Sequence, residues 1–197
     1  MIIVGAGCGP GMLTEEAGNK IKGATRIYGS KRAIECCREF IDDKTEVVEI
    51  TDYKSLSNLP EDAVVLSTGD PMLAGLGYLK GEVVPGISSM SYAFARLKIP
   101  LSKVAVSNAH GKDHLSAIQQ AAADIKNGHI SFMIADPEFD TVKFAEYLND
   151  EKILCSISVC ENLGYPDERI ATGTVESPPK NKSGLFVVIA GDYPALV

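Results

Sequence analysis

The stretch MIIVGAGCGPG, residues 1–11, decides how the chain begins to fold: the apolar run Ile2, Ile3, Val4 drops into Gly5, Gly7, Gly9 and Gly11, with Pro10 among them. An apolar run that ends in glycines predicts a strand entering a tight turn before a helix. A dinucleotide fingerprint, G-x-G-x-x-G, requires a third glycine where counting on from Gly5 and Gly7 finds Pro10. It also requires an acidic residue about 20 positions on to hold a ribose hydroxyl, and ATRIYGSKR (24–32) contains none. A nicotinamide dinucleotide therefore fits poorly, a Walker lysine is missing, and the alternative for the loop taken alone is a tight strand-to-helix turn that binds nothing.

Working outward, short β-branched runs recur as IIVG (2–5), TRIYG (25–29), TEVVEI (45–50), AVVLSTG (63–69), EVVPG (82–86) and KVAVSN (103–108). In SSMSYAFARL (88–97), Met90, Ala93, Phe94 and Leu97 recur at helical spacing behind Ser88 and Ser89 as N-caps. Strand and helix alternating in this way predict a parallel sheet covered on both faces. After Ser107 the texture changes to a polar-faced helix (110–128), the strand HISFMIA (129–135) and DPEFDTVKFAEYLND (136–150). Asp136 before Pro137 reads as a cap and first helical residue, with Phe139, Val142, Ala145 and Leu148 as one stripe. KILCSISVC (152–160), ERIATGTV (168–175) and GLFVVIAG (184–191) read as strands of a mixed sheet. The predicted fold is α/β in two lobes, a parallel-sheet lobe over 1–107 and a mixed-sheet lobe over 108–197, with a cleft between them.

The 197 residues are 45% hydrophobic and 23% charged, enough to bury a core and unlike a disordered segment. No apolar run approaches the roughly 20 residues of a membrane span, and the N-terminus lacks a signal-peptide pattern, so a cytoplasmic protein is expected. A net charge of −7 argues against nucleic-acid binding, which calls for a concentrated basic face. The five cysteines, at 8, 36, 37, 155 and 160, show no C-x-x-C spacing, so reduced thiols are expected and neither a disulfide frame nor a zinc knuckle is signalled. His110 and His114 are an i, i+4 pair and His129 follows, but no third ligand stands nearby and no metal site is expected.

Several predicted strands end in unusual loops, and in an open parallel sheet ligands bind beyond the carboxyl ends of the strands. Read in order, VGAGCGPGMLT (4–14), LSTGDPMLAGLG (66–77), VVPGISSMSYAFARLKIP (83–100), NAHGKD (108–113) and VCENLGYPDERIATGT (159–174) resemble the tetrapyrrole methylase family of S-adenosylmethionine-dependent enzymes. Within that family the set is most similar to the C-5 methylases of the corrin pathway, which implies a cobalt-precorrin acceptor. Some relatives carry a second, decarboxylating domain for C-15, for which these 197 residues are expected to have no room.

The resemblance implies a cofactor, S-adenosylmethionine, folded in the cleft between the lobes. Gly69, Asp70, Met72 and Leu73 would meet it, largely through backbone, with Ser88 and Ser89 from a helix start. Ile134, Ala135, Cys160, Thr172, Gly173 and Thr174 would do so from the second lobe. Cys8 and Pro10, with Gly9, would border the cofactor and the substrate mouth, and the family implies a homodimer. A sulfonium already activates its methyl group, so alignment replaces a nucleophile, and proximity alone is worth about 7–11 kcal/mol. His110 is the candidate proton acceptor. Lys112, Arg96, Lys31 and Arg32 are candidate partners for the acceptor's carboxylates. Asp70 would help balance the sulfonium charge. A methylase of the same fold for another acceptor, and a non-catalytic metabolite-binding protein, are the competing readings.

Overall fold

The computed structural model describes residues 1–111 and 113–194, in two compact units, Met1–Tyr92 and Ala93–Val197. In the first unit β1 (Ile2–Gly5), β2 (Arg26–Gly29), β3 (Glu46–Glu49), β4 (Val64–Ser67) and β5 (Glu82–Val84) form one parallel sheet in the order β3-β2-β4-β1-β5. The central strands have the unbroken apolar character of strands covered on both faces: all four residues of β4 are buried, as are Ile3 and Val4 of β1. Helix α1 (Glu15–Lys22) is capped by the Thr14 hydroxyl, which accepts from the Ala17 N–H at 3.1 Å. Helix α2 (Lys31–Cys37) is capped by Ser30 in the same way, at 3.2 Å. The short α3 (Pro71–Ala74) follows Asp70, and α4 (Ser89–Leu97) buries Ala93, Phe94 and Leu97, the stripe its periodicity predicts.

The second unit joins β6 (Val104–Ala109), α5 (His114–Lys126), β7 (Ile130–Ala135), α6 (Thr141–Asp150), β8 (Ser156–Glu161), β9 (Arg169–Thr174) and β10 (Phe186–Gly191). Its sheet runs β6-β7-β10-β8-β9; β6 and β7 are parallel and the other neighbours antiparallel, so the expected mixed sheet is present. Its core packs Ala117, Ile118 and Ala121 of α5 and Phe144, Ala145 and Leu148 of α6 with Met133, Ile157, Val159 and Val188 of the sheet. The change of texture at Ser107 falls inside β6. The second unit begins earlier, within α4, where the Phe94 ring meets Phe132 at 6.2 Å between centroids.

One local expectation is corrected. Asp140, not Asp136, caps α6, accepting from the N–H groups of Val142 and Lys143 at 2.9 and 3.2 Å. Phe144 takes the buried place expected for Val142. Asp136 is drawn elsewhere, as described below.

Candidate functional site

Because the first sheet is parallel, the carboxyl ends of its strands share one edge, and the loops after β1, β4 and β5 meet there backbone to backbone. The Ala6 N–H donates to the Ser67 carbonyl at 2.8 Å, Gly7 and Gly69 exchange N–H···O bonds at 3.2 and 2.8 Å, and the Cys8 N–H reaches the Ile87 carbonyl at 2.9 Å. A Cβ on Gly5 would lie 2.5 Å from the Gly86 nitrogen, and one on Gly86 would lie 2.3 Å from the Gly69 carbonyl oxygen. These two glycines are required because the loops press on one another. Gly69 differs: it holds φ +68°, and the nearest atom to a Cβ there is Ser88 Cα at 3.9 Å, so its outer side is open.

The side chains predicted here divide by task. Asp70 Oδ1 accepts the Met72 N–H at 2.8 Å and so caps α3, while Oδ2 accepts the Gly86 N–H at 3.0 Å and holds the β4 loop to the β5 loop. The Ser88 hydroxyl is buried, accepts the Ser91 N–H at 3.0 Å and pairs with the Ser91 hydroxyl at 2.9 Å, which makes it the cap of α4. Met72 and Ile87 are exposed, Leu73 and Ser89 half-buried, and Pro10 is exposed on the first loop. Cys8, half-buried, sets its sulfur 3.3 Å from the Met12 sulfur. Arg32 of α2 reaches the same edge and donates to the Thr68 hydroxyl at 3.3 Å.

In the second unit β6, β7 and β8 run in one direction, so Ala109, Ala135 and Glu161 end at a common edge. Ile134, Ala135 and Cys160 belong to it. Cys160 is fully buried on a strand paired on both sides, and that burial pushes its thiol up to about 12, so its side chain is not offered to a ligand. The Thr172–Thr174 turn is not brought there: Thr172 pairs with Ser158 and Thr174 with Ser156. At about 3.3 Å per residue, Thr174 stands about 13 Å back along β8 from Cys160. The Thr172 hydroxyl is 2.7 Å from that of Ser158, and a Cβ on Gly173 would lie 2.2 Å from the Ser177 carbonyl oxygen.

His110 is exposed directly after β6, its N–H held by Asn108 Oδ1 at 2.9 Å. Asp136, directly after β7, ties that loop down. Its Oδ2 accepts the Gly111 N–H at 2.9 Å and lies 3.0 Å from His114 Nε2, and its Oδ1 accepts the Glu138 N–H at 2.8 Å. The bond to His114, ahead of the two backbone N–H groups, holds the Asp136 carboxyl down at about 2. An ionised carboxylate only accepts, so His114 carries its proton on Nε2. Arg96 is committed to Glu168, 3.1 Å away. Lys112 lies outside the described residues.

A second strand-end carboxylate, the buried Glu161, bonds the Arg169 guanidinium and the Lys182 N–H, and the Ser183 N–H at 2.6 Å. Burial pushes its pKa upward, but the Lys182 N–H, Arg169 and the Ser183 N–H outweigh burial and hold it below the usual range. The sequence reading gives Asp136 only as a helix cap and does not single out Glu161. The signal that points to them is position, for each stands at the carboxyl end of a strand, where side chains face a ligand edge. Among the described residues no helix is long and apolar enough to cross a membrane, and no three His, Cys, Asp or Glu residues converge as a metal site.

The model of the tetrapyrrole (corrin/porphyrin) methylases matches residues 1–179. The chain belongs to this family. It is 29% identical to the probable cobalt-precorrin-7 C(5)-methyltransferase of Methanocaldococcus jannaschii over 187 residues, 84% of this chain and 85% of that protein. It is also 29% identical to the precorrin-6Y C(5,15)-methyltransferase [decarboxylating] of Mycobacterium tuberculosis, covering 95% of this chain but only 51% of that longer protein. Among solved structures, the precorrin-6Y methylase of Archaeoglobus fulgidus superposes with a TM-score of 0.76 at 28% identity, covering 98% of each chain. Uroporphyrin-III C-methyltransferase of Thermus thermophilus, complexed with S-adenosylhomocysteine, shares the fold with a TM-score of 0.69 at 18% identity.

Proposed function

We propose that this family member is an S-adenosylmethionine-dependent C-methyltransferase that acts on carbon C-5 of cobalt-precorrin-7 in cobalamin biosynthesis. The observation that carries the reading is the end-to-end correspondence with the Archaeoglobus fulgidus precorrin-6Y methylase, 98% of both chains at 28% identity. The first unit's loops suit the donor. Gly69 leaves its outer side open, and the Asp70 charge is already spent on two N–H groups. The cradle is therefore one of backbone and shape, as a sulfonium held for in-line transfer requires.

When bound, the donor supplies a methyl group already activated on a positively charged sulfur, so the chain needs no nucleophile. Gly69, Met72, Leu73 and Ser89 would hold it by backbone and apolar contact, while Asp70 and Ser88 keep the loops in place. Cys8 and Pro10 would border the acceptor, and Ile134, Ala135 and Cys160 are proposed to help hold the donor. The exposed His110 takes the proton that the acceptor gives up, its position fixed through Asn108 and the Gly111–Asp136 bond. The proposal includes a cytoplasmic homodimer, which sedimentation tests.

Titration calorimetry with S-adenosylhomocysteine is expected to show about one molecule per chain, with uptake lost in Gly69→Val. Incubation with labelled donor and a panel of cobalt-precorrin-7, other precorrins and a diphthamide-precursor protein is expected to label the first alone. Label on another acceptor reassigns the substrate. Failure to take up donor or product defeats the reading.

A further inference from the structure

The chain has five arginines, and four of them face a carboxylate: Arg26 with Glu46 at 2.7 Å, Arg38 with Glu35 at 3.3 Å, Arg96 with Glu168 at 3.1 Å, and Arg169 with Glu161. Arg32 is the exception among the described residues. Glu35, one helical turn further on and within natural reach, is taken by Arg38. The Arg32 guanidinium turns instead to the neutral Thr68 hydroxyl at 3.3 Å. A guanidinium has five N–H donors in a planar fork suited to a carboxylate, and one hydroxyl satisfies one of them.

The place is as informative as the missing partner. Arg32 lies two residues beyond the Ser30 cap at the carboxyl end of β2, and Thr68 directly follows the neighbouring strand β4. The exposed cation is thereby anchored on the ligand edge of the parallel sheet, one residue before Gly69. The nearest acidic side chain on that turn, Asp70, points both oxygens at backbone N–H groups. In a chain of net charge −7, a carboxylate-free arginine at this edge is an attractive centre for a polyanion.

We infer that Arg32, positioned by Thr68, binds a carboxylate side chain of the tetrapyrrole acceptor and sets the register in which the macrocycle meets the donor. The inference rests on the methyltransferase reading above. The donor's own amino-acid carboxylate shares this chemistry, so the experiment separates the two sources.

Initial rates of methyl transfer to cobalt-precorrin-7 are measured for the wild type, Arg32→Gln, Arg32→Lys, Thr68→Val and the remote surface variant Lys44→Gln, with S-adenosylhomocysteine affinity measured by calorimetry on each. Arg32→Gln is expected to raise KM for the acceptor about tenfold, the scale of one charge-assisted hydrogen bond in an exposed place. Its kcat and its affinity for S-adenosylhomocysteine stay within twofold of wild type. Arg32→Lys recovers part of the loss, Thr68→Val raises KM by about twofold to threefold, and Lys44→Gln changes nothing. An unchanged acceptor KM in Arg32→Gln overturns the inference, and so does a selective loss of S-adenosylhomocysteine affinity, which assigns Arg32 to the donor. A wild-type protein that transfers no methyl group to the acceptor defeats the underlying reading instead.

Discussion

Replacing Gly86 by alanine tests whether the three loops at the first sheet's edge are truly interlocked. Gly86 does not occupy the left-handed region, so alanine meets no torsional objection there, and the whole effect must be steric. The added carbon would stand 2.3 Å from the Gly69 carbonyl oxygen and 2.9 Å from Gly5 Cα. An ordinary C···O contact is about 3.3 Å, so one loop must retreat by about 1 Å, and both obstacles are backbone. Overpacking of that kind costs about 1–3 kcal/mol. The retreat also strains the Gly86 N–H to Asp70 bond and the Gly7–Gly69 pair, at about 1 kcal/mol for each bond lost and more for the carboxylate. The expected loss is about 2–5 kcal/mol in urea unfolding followed by far-ultraviolet circular dichroism, together with weaker uptake of S-adenosylhomocysteine. Gly23→Ala is the control: its φ is −87° and its Cβ would lie 3.8 Å from the Asn19 carbonyl oxygen, so it should stay within about 0.5 kcal/mol. If Gly86→Ala is as stable as Gly23→Ala and binds the ligand as well as wild type, the interlocking argument is wrong.

Arg169→Ala leaves the buried Glu161 carboxylate with backbone donors only. Because the Arg169 side chain is itself 35% exposed, the loss should fall near the low end for a broken buried pair, about 3 kcal/mol by urea unfolding. Asp136 has a folded pKa of about 2, below its ordinary 3.8. It therefore adds stability that is complete above about pH 4 and disappears as pH falls towards 2, and His114→Ala should flatten that part of the stability–pH curve. Burial pushes the thiols of Cys37 and Cys160 up to about 12 and that of Cys155 up to about 11. Mass spectrometry after brief iodoacetamide treatment at pH 8 should find these three unmodified in the native protein and labelled after unfolding.

The strands were legible because a β-branched run buried on both faces announces itself without reference to the rest of the chain, as VVLS of β4 does. Helix α4 was legible from the spacing of Ala93, Phe94 and Leu97. What the sequence hides is competition between partners. Asp136 before Pro137 satisfies every local rule for a helix cap, yet Gly111 and His114 claim its carboxylate across a separation no local pattern encodes. Arg96 and Arg32 look alike as surface cations, and only folding shows that Glu168 occupies the first while a hydroxyl meets the second. The glycines of the opening stretch do not declare in sequence what they make room for. Gly5 makes room for Gly86, and the open side belongs to Gly69. The Thr172–Thr174 turn was assigned by motif, which carries no information about register, and strand pairing sets Thr174 back beside Ser156.

The carboxylate of Asp136 serves three segments at once: its own turn after β7, the link out of β6, and the first turn of α5. The Gly111 backbone beside His110 is thus anchored from a neighbouring strand and not by a bond within its own turn. Lengthening that link by one residue would detach Gly111 and His114 from a shared anchor together, so descendants of this chain can vary the chemistry at 110 far more freely than the spacing between 109 and 114.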